Sequence, residues 1–420
     1  MLSKENNDLL TLVEGNAPMG RFLRDLHWIP FLRAGKLKPD GPPERVRLLG
    51  ENFVAFRGSD GSVGFLDEAC PHRGASLALA RNENCALECI FHGWKINTAG
   101  QVISVPNESK SPETFAKKVP VRHYAVREAG GLLWVWLGEG SEPLQFTEFD
   151  FTGLPDDHLF VSYTPLDCNW MQGLDAAVDS SHVSILHQSW VPQILGAPPG
   201  LLQSNSAPRY EVEETDYGMR AAALRDLPDG SCYARVGEFV LPFFMFIGTS
   251  NSAAGEATLF TCVPVDDTHS FLIFLRYARA GRGPLTTGPG KPDYEQGDDD
   301  LDNFAPVPGE AWKRWGQDRA AMQDGHYTGY TSKLLLEDIV VQTSMGPIVD
   351  RTKEHLTSAD LGTVRMRRLL LKAIRDHQAG ADVSARIEYG QIRADAFVVP
   401  PGKTWRDNVP AQLVETMGRA

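Results

Sequence analysis

Two short stretches constrain this chain more than any others: Cys70-Pro71-His72-Arg73-Gly74 and Cys89-Ile90-Phe91-His92-Gly93-Trp94. Each sets a thiol and an imidazole close together in a loop, and sixteen residues separate His72 from Cys89. Two thiolates and two imidazoles suit zinc. They equally suit a [2Fe-2S] cluster with Cys70 and Cys89 on one iron and His72 and His92 on the other, a ligation that raises the cluster potential above that of a four-cysteine cluster. Spacing alone leaves the two readings comparable. Gly74 and Gly93 allow both loops to turn tightly. Cys85 lies four residues before Cys89 but lacks a following His at the same spacing, so it is assigned to packing.

The rest of the composition narrows the class. The 420 residues are 42% hydrophobic and 23% charged, an ordinary globular balance with room for two or three domains. A formal net charge of -13 argues against a nucleic-acid or anionic-membrane surface. Six cysteines form no regular disulfide framework. The polar opening MLSKENNDLLTLVEG does not read as a secretory signal, and no apolar run reaches membrane-spanning length. A cytoplasmic protein is expected.

Residues 1–45 read as an N-terminal arm, a possible short helix broken by Pro and Gly. From 46 to 145 come short β-type runs with turn residues between them, such as NFVAFRG and VGFLDEA joined through Ser59–Ser62. This is a small antiparallel domain with both Cys/His motifs in its loops. Residues 146–420 read as a larger domain: a helical segment NWMQGLDAAVDSSHVSILH, then strand-like runs enough for a substantial antiparallel sheet, then the helices KLLLEDIVVQTSM and EHLTSADLGTVRMRRLLLKAIRDHQ. The Gly-, Pro- and Asp-rich passage 281–309 predicts a long surface loop, and the C-terminal tail is expected to be peripheral. The fold class is α+β.

A second constellation sits in the first of those helical segments. Asp179 and His182 are three apart, hence on one helix face. His182 and His187 are five apart, so an ideal helix would aim them well over a right angle apart. If both bind one metal, the backbone between them must bend or loosen. Two histidines and one carboxylate leave open positions for dioxygen and substrate.

Taken together, CPHRG followed by CxxFHGW strongly resembles the signature of the Rieske non-haem iron ring-hydroxylating oxygenases. The position after Gly74 is Ala75, so the extra disulfide of respiratory Rieske proteins is absent, which points to the oxygenase branch and a lower-potential cluster. The resemblance covers almost the whole chain, and RVRLLGENFVAFR and MGPIVDRTKEHLTSADLGTVRMRR look like phthalate 4,5-dioxygenase oxygenase subunits. One departure is Met345, which stands where the related QGPIxDRT stretch has Gln.

The resemblance implies one [2Fe-2S] cluster on Cys70, His72, Cys89 and His92, and one mononuclear Fe(II) on His182, His187 and a remote Asp. A family Glu/Gln-Asp pair matches Glu337-Asp338, which selects Asp338 over Asp350, Glu354 and Asp360. Asp360, just before a helical run, reads rather as a cap. Asp179 is expected to bridge His182 to His92 of a neighbouring subunit. That implies a head-to-tail homotrimer or a hexamer of two stacked trimers, without a small β subunit. Electrons would come from NAD(P)H through a separate reductase, of FMN/[2Fe-2S] or ferredoxin type, with O2 as cosubstrate.

The leading expectation is cis-dihydroxylation of a phthalate- or benzoate-like acid. The alternatives are O-demethylation or monooxygenation of a methoxylated aromatic acid, an electron-transfer Rieske protein without oxygenase activity, and a zinc-stabilised binding module. Arg235, Arg209 and Arg225 are candidate carboxylate ligands, with solvent-facing strand positions as the plain alternative. Asn169 and Ser180 are near-site candidates, Ser180 as a hydrogen-bond donor to substrate.

Overall fold

The computed structural model describes residues 2–140, 143–146, 148–190, 205–249, 255–285, 300–381, 392 and 394–408. Its contacts divide the chain into two compact units. One runs from residue 13 to 146, and the other joins residues 1–12 to 147–420. The N-terminal arm is thus shared: its first helix, Lys4–Thr11, groups with the larger unit, and its second, Pro18–Leu26, with the smaller.

The smaller unit is built from three antiparallel sheets. Trp28–Arg33 pairs with Leu132–Trp136, which pairs with Ala125–Ala129. Glu44–Leu48, Glu51–Arg57 and Val63–Asp67 form a meander. The expected turn at Ser59–Ser62 joins its last two strands, where Asp60 Oδ1 accepts the Ser62 amide at 2.9 Å. Four strands of three residues each make the third sheet, from Arg81–Glu83 to Val102–Ser104. Strands this short hold because their inward residues share one core: Val54, Phe56, Leu66, Leu87, Trp94 and Ile96 are all buried in it. Cys70 and Cys89 belong to the same core.

The larger unit is organised by an eight-stranded antiparallel sheet. Its order is Leu159–Leu166, Ser270–Ala278, Glu256–Pro264, Phe244–Ile247, Cys232–Val240, Gly218–Asp226 and Arg209–Glu214. Cys232–Val240 shares one edge between Phe244–Ile247 and an eighth strand, Asp395–Val399. The expectation of a peripheral C-terminal tail is therefore corrected for residues 395–399. The run DAFVV supplies β-branched and aromatic residues that fit a pleated surface, and Val399 is buried there. Of the expected loop 281–309, residues 286–299 lie outside the described residues.

Helices Trp170–Val178, Leu334–Ser344 and Leu361–Gln378 belong to this unit. The first packs close on the sheet, because a Cβ at Gly173 would stand 2.3 Å from Cys262 Sγ. Gln172, buried at 2% exposure, ties it to the second: its Nε2 donates to the carbonyls of Gln342 at 2.9 Å and Gly346 at 3.0 Å. Beneath lies a buried ionic network. Asp175 accepts from Arg351 at 2.8 Å and from Arg367 at 2.7 Å, and Arg351 also reaches Asn7 of the first helix. No described helix is long and apolar enough to cross a membrane.

Candidate metal centres and substrate cavity

The two Cys/His stretches fold as matching turns. The Cys70 amide donates to the Ala75 carbonyl and the Gly74 amide to the Cys70 carbonyl, each at 2.8 Å. In the second turn Cys89 donates to Trp94 at 2.9 Å, and Gly93 donates to Cys89 at 2.8 Å. Both glycines carry positive φ, 75° and 73°, a conformation that a side chain would strain. The turns bring like donors together. Burial and the neighbouring Cys89 thiol push the Cys70 thiol up to about 11. His72 Nδ1 and His92 Nδ1 lie 3.1 Å apart, and the His72 ring stacks on Trp94 at 4.8 Å. Two thiols side by side and two imidazole nitrogens side by side fit a dinuclear group that takes sulfur on one metal and nitrogen on the other. Cys85 sits elsewhere, in the tight turn between two short strands at φ 59°, with its thiol against Asp60.

The second constellation assembles from three segments. The helix begins at Asn169, whose side chain caps Met171 and donates to the carbonyls of Thr11 and Asp267, so this residue anchors backbone and is not among the cavity-lining residues. The helical segment was expected to bend or loosen between His182 and His187; it gives way earlier, ending at Val178. Asp179 Oδ1 accepts both the amide and the hydroxyl of Ser181, each at 2.7 Å, a local bond that competes with helix continuation. A single 3-10 turn, His182–Ser184, follows. The loosened backbone turns both imidazoles toward one carboxylate. His182 Nε2 is 3.5 Å and His187 Nε2 3.3 Å from Asp338 Oδ1, and one ligand atom from each of the three residues lies within 4.8 Å of the others.

Each of these imidazoles is held from behind. His182 Nδ1 meets Asp179 Oδ2 at 3.2 Å, and His187 Nδ1 meets Glu337 Oε2 at 2.7 Å. Carboxylates in this position fix the ring orientation and leave Nε2 to the metal. Glu337 is fully buried and is itself engaged by the Thr328 hydroxyl. Burial pulls the His187 imidazolium down, but Asp338 and Glu337 outweigh it and bring its pKa to about 9. Burial raises the Asp179 carboxyl, yet His182 and Ser181 hold it well below the usual range. Two imidazole nitrogens and a carboxylate oxygen converging on one point, with a cavity on the open side, fit a mononuclear metal with free positions. Thr328 did not stand out in the sequence, and Glu337 was read only as the neighbour that marks Asp338, with no role of its own. A Glu beside a candidate ligand was visible, but its direction across the helix was not.

The other acids weighed for the third position are engaged elsewhere. Asp350 caps a 3-10 turn, Glu354 pairs with Arg367 at 2.7 Å, and Asp360 completes a capping box with Thr357.

The cavity facing the triad, taken together with the open solvent at its mouth, spans about 1080 Å³. Phe260, Phe274, Leu272 and Ile247 give it apolar walls, and Arg235 and Arg276 are the cations that line it. Arg235 donates through Nε to the Gly248 carbonyl at 2.8 Å and through Nη1 to Ser180 Oγ at 3.1 Å, and no described carboxylate pairs with it. Burial lowers its pKa from the arginine value. Ser180 Oγ accepts this bond from Arg235, which leaves its hydroxyl proton available to donate. Arg225 is buried but does not line the cavity. It holds the Ser180 carbonyl at 2.9 Å and Ser184 Oγ at 3.2 Å, and burial together with Arg235 lowers it to about 10. Arg209 is exposed on its strand and paired with Glu211, away from the cavity. Arg276 was missed because nothing in SFLIFLRYARA marks which strand face meets the triad.

Comparison with known proteins agrees with this arrangement. Residues 27–124 match the Rieske [2Fe-2S] domain model, and residues 135–417 match the family described as LigXa C-terminal domain like. The phthalate 4,5-dioxygenase oxygenase subunit of Pseudomonas putida is 38% identical over 97% of this chain and 94% of its own length. The 3-chlorobenzoate-3,4-dioxygenase oxygenase subunit of Comamonas testosteroni is 32% identical over 96% of each. The terminal oxygenase of carbazole 1,9a-dioxygenase from Nocardioides aromaticivorans IC177 shares the fold, with a TM-score of 0.56 at 19% identity over 85% of this chain and 97% of that one. A Rieske domain, a partly buried His/His/Asp cluster and relatives of this identity along nearly the full length together show that the chain belongs to the Rieske non-haem iron oxygenases that hydroxylate aromatic rings, close to the phthalate and benzoate dioxygenase alpha subunits.

Proposed function

We propose that this chain is a terminal oxygenase that oxidises a small aromatic carboxylate, with electrons delivered one at a time from NAD(P)H by a separate FMN/[2Fe-2S] or ferredoxin-type reductase. The observation that carries this reading is the presence, in one apolar cavity, of the His182/His187/Asp338 triad and the guanidinium of Arg235, which no described carboxylate pairs directly. Apolar walls with a few convergent polar groups suit a substituted ring, and a buried guanidinium without a directly paired carboxylate is stabilised by a ligand that brings one.

In this reading Cys70, Cys89, His72 and His92 hold the [2Fe-2S] cluster, and His182, His187 and Asp338 hold Fe(II). The bound irons supply electron storage and O2 activation. The chain's own groups do the placing. Glu337 and Asp179 fix the two imidazoles, the aromatic walls exclude water from the ring, and Arg235 fixes its orientation. Asp179 would also meet His92 of a neighbouring copy, in a head-to-tail trimer or a hexamer of two such rings, without a small β subunit. A cytoplasmic location suits a partner reductase that draws on NAD(P)H.

The favoured reaction adds both atoms of O2 to adjacent ring carbons, consuming two electrons and two protons and giving a cis-dihydrodiol. The second reading inserts one atom at a methoxy carbon, releasing formaldehyde, a phenol and water for the same two electrons and two protons. Product mass spectrometry after a single turnover on benzoates, phthalates and methoxybenzoates separates them. A product heavier by two oxygens and two hydrogens supports dihydroxylation. A phenol with stoichiometric formaldehyde overturns it in favour of O-demethylation. No product from any aromatic acid sinks the substrate class.

A further inference from the structure

The cavity contains a second polar end, and its charge state differs from that of the first. Arg276, on the strand Ser270–Ala278, lines the cavity as Arg235 does. Unlike Arg235, it is already paired: its Nη2 donates to Glu256 Oε2 at 3.0 Å, with the two side chains 9% and 5% exposed. Glu256 stands behind Arg276 and is not among the lining residues.

The sheet register places these two ends. Arg276 pairs across to Thr258, and Thr258 pairs across to Ile247, the last residue of the strand beside Cys232–Val240. Three strand spacings therefore separate the strands of Arg276 and Arg235, about 14 Å at the usual sheet spacing. Between them the cavity floor is apolar, with Phe260 and Phe274 5.1 Å apart and Ile247 alongside. Thr258 lines the cavity next to Arg276.

A buried ion pair is seldom retained for stability, since well-packed apolar residues of similar volume often serve as well or better. One placed at the end of an apolar ligand cavity calls for another reason. Arg276 can still donate to a ligand, but the charge at that end is already cancelled. An uncharged oxygen accepts from it at a far smaller desolvation cost than a carboxylate carries. A carboxylate arriving there meets the field of Glu256 and must be stripped of water without gaining a free cation.

We infer that the cavity selects an aromatic monocarboxylate, its carboxylate on Arg235 and an uncharged oxygen substituent in the meta or para position on Arg276 and Thr258, with Glu256 turning away a second carboxylate at that end. The inference rests on the aromatic-acid reading above and sharpens it.

The test is anaerobic calorimetric titration of the reduced, iron-loaded protein, so that binding is read without turnover. The probes are benzoate, 3- and 4-methoxybenzoate, and the matching dicarboxylates isophthalate and terephthalate. The methoxybenzoates should bind at least about tenfold more tightly than the dicarboxylates. Glu256→Gln should collapse that ratio by improving dicarboxylate binding. Arg276→Gln should remove the advantage of the methoxybenzoates over benzoate. Dicarboxylates binding the wild-type protein as tightly as methoxybenzoates would overturn the inference even if neither variant folds, while leaving the aromatic-acid reading intact. A wild-type preference that survives Glu256→Gln in folded protein would overturn the role of Glu256. Failure of every acid to bind would overturn both readings together.

Discussion

The two candidate metal centres are built in opposite ways. The Cys/His centre comes from two turns with the same pair of backbone hydrogen bonds, each complete within six residues from cysteine to final carbonyl. The His/His/Asp centre joins a loosened helix end to a helix far along the chain, with 150 residues between His187 and Glu337. Local turns carry their own geometry, whereas a distributed site inherits its geometry from everything that positions its parts. Damage to the first should therefore stay close to the turns. Damage to the second should also arrive through groups that touch no metal.

The strongest test removes one ligand from each centre. Asp338→Ala is expected to abolish turnover and the mononuclear iron while the visible absorbance of the cluster persists. Cys89→Ser should bleach the cluster and leave the other site able to take up Fe(II). Iron content and absorbance read both, and loss of both metals from either variant would break the claimed independence.

Next comes the ionic network beneath the Trp170–Val178 helix. Asp175→Asn leaves the buried Arg351 and Arg367 with only Glu354 as a shared carboxylate and should cost about 3 kcal/mol in denaturant unfolding. Burial raises the Asp175 carboxyl, but the two arginines hold it below its ordinary value. Its contribution is thus fully present above the unfolded pKa of about 3.9 and is lost as pH falls through the folded value. The gap between variant and wild type should be equal at pH 8 and pH 5.5. A gap that grows or shrinks over that interval would assign the effect to another group.

A smaller effect is expected behind the metal. Glu337→Gln should weaken Fe(II) or Co(II) binding to the apo site by about 10–100-fold without changing cluster absorbance. Thr328→Val should act in the same direction and more weakly. Unchanged metal affinity in Glu337→Gln would mean that His187 is held by packing alone.

The smallest effect belongs to the first centre's surroundings. Lys95 pairs with Glu88 beside the second turn, but both side chains are well exposed, 40% and 32%. Lys95→Ala should therefore shift stability by less than about 1 kcal/mol. A larger loss, or a bleached cluster, would show that the turns depend on their neighbours after all.

Much of this architecture was legible in the residues. The short strands of the smaller unit, the turn at Ser59–Ser62 and the helix around Glu337-Asp338 followed from periodicity and turn chemistry. The need for a break between His182 and His187 followed from helical geometry. Its location did not, because the helix ends where Asp179 captures Ser181, and side-chain capture of backbone is decided among several acids and serines in one stretch. The strand Asp395–Val399 was missed because its partner edge, on Cys232–Val240, becomes available only when Phe244–Ile247 occupies part of that edge and leaves the rest. The three arginines considered could not be ranked, since neighbouring strands place one against Glu211, one behind Ser180 and one in the cavity.

The sequence by itself determined the donor chemistry: which thiols and imidazoles pair within a turn, and which residue types can hold iron. Those properties depend on covalent spacing and on backbone torsions within a few residues. The tertiary structure alone decided which carboxylate stands behind His187, which arginine faces the cavity without a directly paired carboxylate and which is cancelled by Glu256. Such choices depend on electrostatic and packing contacts between strands and helices far apart in the chain, and those contacts come into being only when the sheet and the helices that carry the triad are assembled.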